Sequence, residues 1–255
     1  MPGKEAGAVR LAPTWLLKGT LAGGTGHECF IVINRAAEPF VDDKPGEAPV
    51  RGFLHRAKDS DADFIVLTHG AGGNCNAPLL VALADKFAAS GISTLRCDLP
   101  FRQRRPHGPP SPSDAKHDQA GLRRAVELVK EQSVGRAFLG GVSYGGRQAS
   151  MLVAAESALV EGLLLLSYPL HPPGRPAHLR TAHFPSLRAP VLFVSGTRDP
   201  FGSIEELASA IKLIPAHAKL VPIEGAGHAL LQKSNREELP ENVVQEFVGF
   251  FSHSK

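Results

Sequence analysis

Much that would assign this chain to a familiar class is missing from it. Three cysteines, Cys29, Cys75 and Cys97, occur in 255 residues. They are odd in number and widely spaced, without metal-type pairing, which argues against a disulfide framework and a cysteine-ligated metal and suits a reducing compartment, with the cytoplasm expected. Charge is nearly balanced: 28 basic and 25 acidic residues leave +3, too small an excess to imply a nucleic-acid or membrane partner. No apolar run reaches membrane-spanning length. The patch from Leu11 to Leu17 is interrupted by Pro13 and Thr14 and lacks a small-residue cleavage pattern after it, so no leader is expected. There is no internal repeat, and low complexity is confined to Pro106 to Pro112. What the chain does have is 43% hydrophobic residues and a length near the limit at which one α/β domain holds a single core. The expectation is one domain over 1–255, with 1–28 as an N-terminal extension.

Short apolar runs alternate with amphipathic segments. Phe30 to Ile33 and Val50 to His55 read as an antiparallel opening, separated by a polar stretch rich in proline. Continuous apolar runs follow at Phe64 to Thr68, Ile92 to Cys97, Ala137 to Val142 and Gly162 to Ser167, then at Val191 to Ser195 and Lys219 to Ile223. Unbroken hydrophobicity is what a strand covered on both faces requires. Helical periods lie between them: Leu79, Leu83 and Phe87; Leu122, Ala125, Val126 and Val129; Leu207, Ile211 and Ile214; Val243, Phe247, Phe250 and Phe251. Ser203 with Glu206 forms a capping box at the start of the third. The pattern predicts a mostly parallel central sheet with helices on both faces. Two connections, Pro100 to Ser113 and His171 to Ala189, are dense in proline with arginine or histidine. Neither is long enough for a large lid domain.

Gly141-Val142-Ser143-Tyr144-Gly145 follows one of these strands and precedes a helical stretch. A serine on a sharp strand-to-helix turn needs small neighbours two positions before and after, because a Cβ there would strike the strand or the helix. Composition alone makes the pattern weak, so context decides. A serine nucleophile needs a base, and the base needs an acid to orient it. Beyond Ser143 the first carboxylate after a strand is Asp199, in Gly196-Thr197-Arg198-Asp199. Of the later histidines, His217 precedes the last strand, at the wrong end of the sheet, and His253 lies in the tail. His228, in Gly225-Ala226-Gly227-His228, follows the last strand and is the expected base. Strand Phe64 to Thr68 runs into His69-Gly70-Ala71-Gly72-Gly73-Asn74. No Gly-Lys-Ser/Thr follows, so this is not a phosphate loop. The backbone N–H of Ala71 or Gly72, with that of Tyr144, is the expected oxyanion hole.

Taken together, His69-Gly-Ala-Gly-Gly, Asp98-Leu-Pro-Phe-Arg, Gly141-Val-Ser-Tyr-Gly-Gly-Arg, Ser167-Tyr-Pro-Leu-His-Pro-Pro-Gly and Gly196-Thr-Arg-Asp-Pro-Phe-Gly resemble the small bacterial α/β-hydrolases related to dienelactone hydrolases. They resemble most the branch that also holds testis-expressed hydrolase-like proteins and a chromatin acetyltransferase-complex subunit. The resemblance covers roughly Val50 to Phe251. It implies the α/β-hydrolase fold with Ser143, Asp199 and His228 as a triad. Dienelactone hydrolases carry a cysteine nucleophile where this chain has serine, so their substrate does not transfer.

Arg102, Arg104 and Arg105 leave the sheet on the catalytic side and are candidates to bind an anionic acyl group, against the alternative of a solvated loop. Arg147 reads as a packing or ion-pair residue, and Cys75 as a small buried side chain. His171 and His178 are candidates for the site entrance, and His107, His117 and His183 carry no signal. The expected function is hydrolysis of a carboxylic ester or related small acyl substrate through an acyl-enzyme, with no cofactor or metal. The rivals are a silent hydrolase fold serving protein interaction, and a thioesterase or peptidase with the same triad. No pattern speaks to the oligomeric state.

Overall fold

The computed structural model describes residues 37–252. The 1–28 extension, the strand expected at Phe30 to Ile33, Cys29 and His253 lie outside the described residues. Eight strands form one sheet: β1 (Glu38–Asp42), β2 (Val50–His55), β3 (Asp63–Thr68), β4 (Ile92–Cys97), β5 (Ala137–Val142), β6 (Gly162–Leu166), β7 (Val191–Gly196) and β8 (Ala218–Ile223). Their order is β1-β2-β4-β3-β5-β6-β7-β8. β2 is antiparallel to β1 and β4, and every other pair is parallel.

The unbroken apolar runs have a period of two once folded, because successive side chains leave opposite faces of a strand. Phe64 and Val66, Leu139, Leu163 and Leu165, and Val191 and Phe193 enter one core, while Ile65 and Leu67, Phe138, Leu164 and Leu166, and Leu192 and Val194 enter the other. Helices α3 (Ala115–Lys130) and α4 (Tyr144–Ala155) cover the first face, with α5 (Ile204–Ala210). Helices α1 (Pro78–Ala89) and α6 (Glu238–Ser252) cover the second, where Phe87, Phe138, Phe247 and Phe251 pack ring on ring. Full burial of such a side chain contributes roughly 1.5–3 kcal/mol. The capping box at the start of α5 is formed: Ser203 Oγ accepts from Glu206 N at 3.2 Å, and Glu206 Oε2 accepts from Ser203 N at 2.8 Å.

Two elements depart from the sequence reading. β1 arises in a stretch read as connection, because an edge strand needs only one partner and tolerates the proline and exposed residues found there. The opposite edge, β8, also carries a proline, Pro222, which removes a ladder donor where a second chain would otherwise pair. The connection after β4 begins with the short helix α2 (Pro100–Arg104), whose leading proline is pre-set for a first helical turn. No described connection builds a separate lid, and no described helix is long and apolar enough to cross a membrane.

Candidate active site

The site lies beyond the carboxyl ends of β3, β5, β7 and β8, where open parallel sheets place ligands. Ser143 stands between β5 and α4 with φ 51° and ψ −112°, a backbone conformation that costs energy in a non-glycine residue and persists where the surroundings enforce it. The enforcement is visible at its neighbours. A Cβ at Gly141 would meet Gly146 N at 2.6 Å, and one at Gly145 would meet the His69 carbonyl at 2.4 Å. Ser143 N donates to Leu166 O at 2.8 Å and Arg147 N to Ser143 O at 2.9 Å, tying the turn to β6 and α4.

The structure brings Ser143, His228 and Asp199 together. His228 Nε2 lies 2.8 Å from Ser143 Oγ, and Nδ1 lies 2.8 and 2.9 Å from the two Asp199 oxygens. With Asp199 buried behind it and His228 partly open to the cavity, the imidazole carries its proton on Nδ1 and leaves Nε2 free to take one from Oγ. Phe201, which the sequence reading left without a role, holds both partners: its N–H donates to Asp199 Oδ1 at 2.9 Å and its ring stacks on His228. His217 instead stacks on Phe250, away from the triad.

The loop after β3 is built by buried hydrogen bonds. Gly73 N donates to Gly70 O at 3.1 Å, closing a turn over Ala71 and Gly72. His69 Nε2 accepts from Leu99 N at 3.1 Å, which places its proton on Nδ1, facing Gly70 O at 2.8 Å; burial holds its pKa below the usual histidine value. Ala71, Gly72 and Tyr144 border the cavity with Ser143. Tyr144 opens α4, so its N–H has no intrahelical acceptor. The Tyr144 hydroxyl donates to Asp118 Oδ2 at 2.7 Å, while Asp118 also accepts from Phe101 N at 2.9 Å; burial raises the Asp118 pKa.

The arginine expectation is corrected. Arg102 is buried, and its guanidinium donates to four carbonyls: Gly73 O at 2.8 Å, Ala71 O at 2.8 Å, Gly108 O at 3.0 Å and Arg105 O at 3.1 Å. Such a side chain clamps the Ala71 loop from behind rather than meeting a ligand. Arg104 and Arg105 share Asp114, at 2.6 and 2.5 Å. None of the three borders the cavity, whose wall on that side is made of Pro109, Pro110 and Pro112. His171 is likewise turned away: it is buried against Glu206 at 3.2 Å and Pro172 O at 2.9 Å, and neither it nor the exposed His178 borders the cavity. The arginines that do border it are Arg147 and Arg180, and Arg147 makes no ion pair with a described residue.

The cavity measures about 1010 Å³ and is walled mainly by proline, alanine, glycine and leucine. Among the described residues no cluster of three or more His, Cys, Asp or Glu could hold a metal ion. Cys75, just after the glycine-rich loop that follows β3, is buried, and burial with the nearby Asp98 charge pushes its thiol up to about 12.

A sheet of this order, with a serine, a histidine and an aspartate meeting at its carboxyl edge, defines an α/β-hydrolase. The alpha/beta hydrolase domain model matches residues 61–253, and the chain belongs to that family. Solved structures similar in fold include Est1E from Butyrivibrio proteoclasticus (18% identity, 84% of this chain and 99% of that one, TM-score 0.67). Dienelactone hydrolase from Anabaena variabilis is similar at 20% identity, covering 85% and 98%, with a TM-score of 0.66. An α/β serine hydrolase homologue from Coxiella burnetii is similar at 20% identity, covering 82% and 96%, also at 0.66. A stretch of 50 residues is 50% identical to the polyketide synthase ThaQ of Burkholderia thailandensis, spanning 20% of this chain and only 2% of that protein.

Proposed function

We propose that the protein is a serine hydrolase that cleaves carboxylic esters of small molecules through an acyl-enzyme. The observation that carries this reading is the unbroken relay from Ser143 Oγ through His228 to the buried Asp199, each step at 2.8 Å. His228 Nε2 takes the Oγ proton as Oγ attacks the acyl carbon. The negative charge on the acyl oxygen is met by the N–H of Tyr144 and that of Ala71 or Gly72. His228 then protonates the leaving alcohol, and a water activated by the same nitrogen releases the acid. A thioesterase or peptidase would use the same relay; the apolar, open cavity favours an ester with a hydrocarbon body. A silent fold kept for protein interaction fits poorly with a strained serine held at hydrogen-bonding distance from its base. The reading extends to one hydrolase domain over 1–255 with 1–28 as an extension, and to a cytoplasmic setting, which suits the buried free thiols of Cys75 and Cys97. Ser143→Ala should lower kcat for 4-nitrophenyl esters by about 10⁴-fold or more without loss of the folded state. Turnover within about tenfold of the unmutated protein would overturn the assignment.

A further inference from the structure

Among the described residues, two permanently charged side chains border the cavity, Arg147 and Arg180, and no aspartate or glutamate does. Arg147 sits four residues after the nucleophile, on the same face of α4. Helical side chains lean toward the N-terminus of their helix, which directs this guanidinium back toward the serine end. Arg180 is fixed through its backbone: its N–H donates to Leu170 O at 2.8 Å, and its carbonyl accepts from the Tyr168 hydroxyl at 2.6 Å. Its guanidinium makes one long contact, Nη1 to Pro169 O at 3.3 Å. The Arg147 guanidinium makes no hydrogen bond or ion pair with any described residue, and its Nε is buried without a partner.

Partly buried cations in mutual repulsion are costly unless something neutralises them. The strain extends to their surroundings. Burial and the Arg147 charge lower the Arg180 pKa and bring the adjacent His183 down to about 4. Carboxylates elsewhere around the site are already engaged, Asp199 by His228 and Phe201 N, Asp118 by Tyr144 and Phe101 N, and Glu206 by His171 and Ser203 N. Among the described residues, no carboxylate supplies the counter-charge at the cavity. A planar carboxylate can accept paired N–H donors from such groups, and apolar walls of the cavity, including Met151, Pro109 and Pro110, suit a hydrocarbon spacer.

We propose that Arg147 and Arg180 form an anion subsite and that the preferred substrate is an ester carrying a free carboxylate, separated from the scissile bond by a short apolar chain. The substrate class rests on the ester hydrolase reading; the subsite does not.

Two measurements separate them. In the first, kcat/KM is compared for mono-4-nitrophenyl adipate and 4-nitrophenyl hexanoate, which share acyl length and leaving group. The charged ester should lead by roughly 10- to 100-fold, and the ratio should fall toward one in Arg147→Gln and, independently, in Arg180→Gln. A ratio cancels any general loss of activity in a variant. In the second, 4-phenylbutyrate and 4-phenylbutyramide are titrated calorimetrically into Ser143→Ala protein, with Arg147→Gln added in parallel. The carboxylate should bind at least about tenfold more tightly than the amide, and only without the second substitution. Carboxylate preference in binding with no turnover of either ester would uphold the subsite and sink the hydrolase. Turnover of both esters at equal kcat/KM, or equal or absent binding of acid and amide, would overturn the subsite.

Discussion

The ring of Phe201 lies against the imidazole of His228, centroids 4.1 Å apart and planes inclined by 30°, while the N–H of the same residue donates to Asp199. One residue thus fixes both the tilt of the imidazole and the position of the carboxylate behind it. Small losses of orientation in such a relay are expensive. Phe201→Ala should lower kcat by roughly 10- to 100-fold with a folded-state melting curve close to the original. An unchanged kcat would mean that the His228–Asp199 pair holds its geometry unaided.

Arg102 should behave as a positioning residue for the loop after β3, the proposed oxyanion loop. Its replacement by methionine fills similar space and strands the four carbonyls it now serves. A loss of about 3 kcal/mol in chemical unfolding is expected, together with a fall in kcat larger than any rise in KM, since the loop's N–H groups act on charge that develops at the transition state. Loss of anionic-ester preference alone, with stability and kcat intact, would return Arg102 to the substrate.

His183 provides a pH test. Its Nε2 is 2.8 Å from Ser150 Oγ, and burial followed by the Arg147 charge lowers its pKa to about 4, against about 6.5 in the unfolded chain. Between these values the unfolded state binds more protons, so the stabilisation is complete above pH 6.5 and is lost as pH falls toward 4. His183→Gln should remove at most about 3 kcal/mol of that pH dependence, leaving the background from His55 and His69, whose values are also lowered by burial. Parallel stability curves for the two proteins between pH 6.5 and 4 would show that His183 is not held neutral.

Cys75 should be inert although it lies close to the oxyanion loop. With its thiol pushed up to about 12, almost no thiolate exists at pH 8. Iodoacetamide at that pH should leave Cys75 unmodified in peptide maps and ester turnover within about twofold. Rapid alkylation of Cys75 in step with inactivation would move the chemistry from serine to cysteine.

How much could be read from the chain follows from which interactions are local. Ser143 was legible because only glycine fits at 141 and 145, where a Cβ would strike backbone. The strands β3, β6 and β7 were legible because burial on both faces leaves little room for polar alternation. β1 was not, because at an edge its exposed residues and Pro39 obey turn chemistry as well as strand chemistry. The three arginines of the β4 loop look alike in sequence. What separates Arg102 from Arg104 and Arg105 is which carbonyls and carboxylate the fold brings to each, and Asp114 is nine or ten residues away from its partners. Arg147 escaped for the converse reason: it is distinguished by having no counter-ion among the described residues, and an absent partner leaves no trace in a sequence.

The proposed chemistry puts the acyl group on Ser143 Oγ, and covalent labelling tests that most directly. Treated with a fluorophosphonate and digested, the protein should yield one adduct per chain, mapped to the peptide bearing Ser143, and none in Ser143→Ala. An adduct on any other residue, or no adduct in the folded unmutated protein, would contradict it.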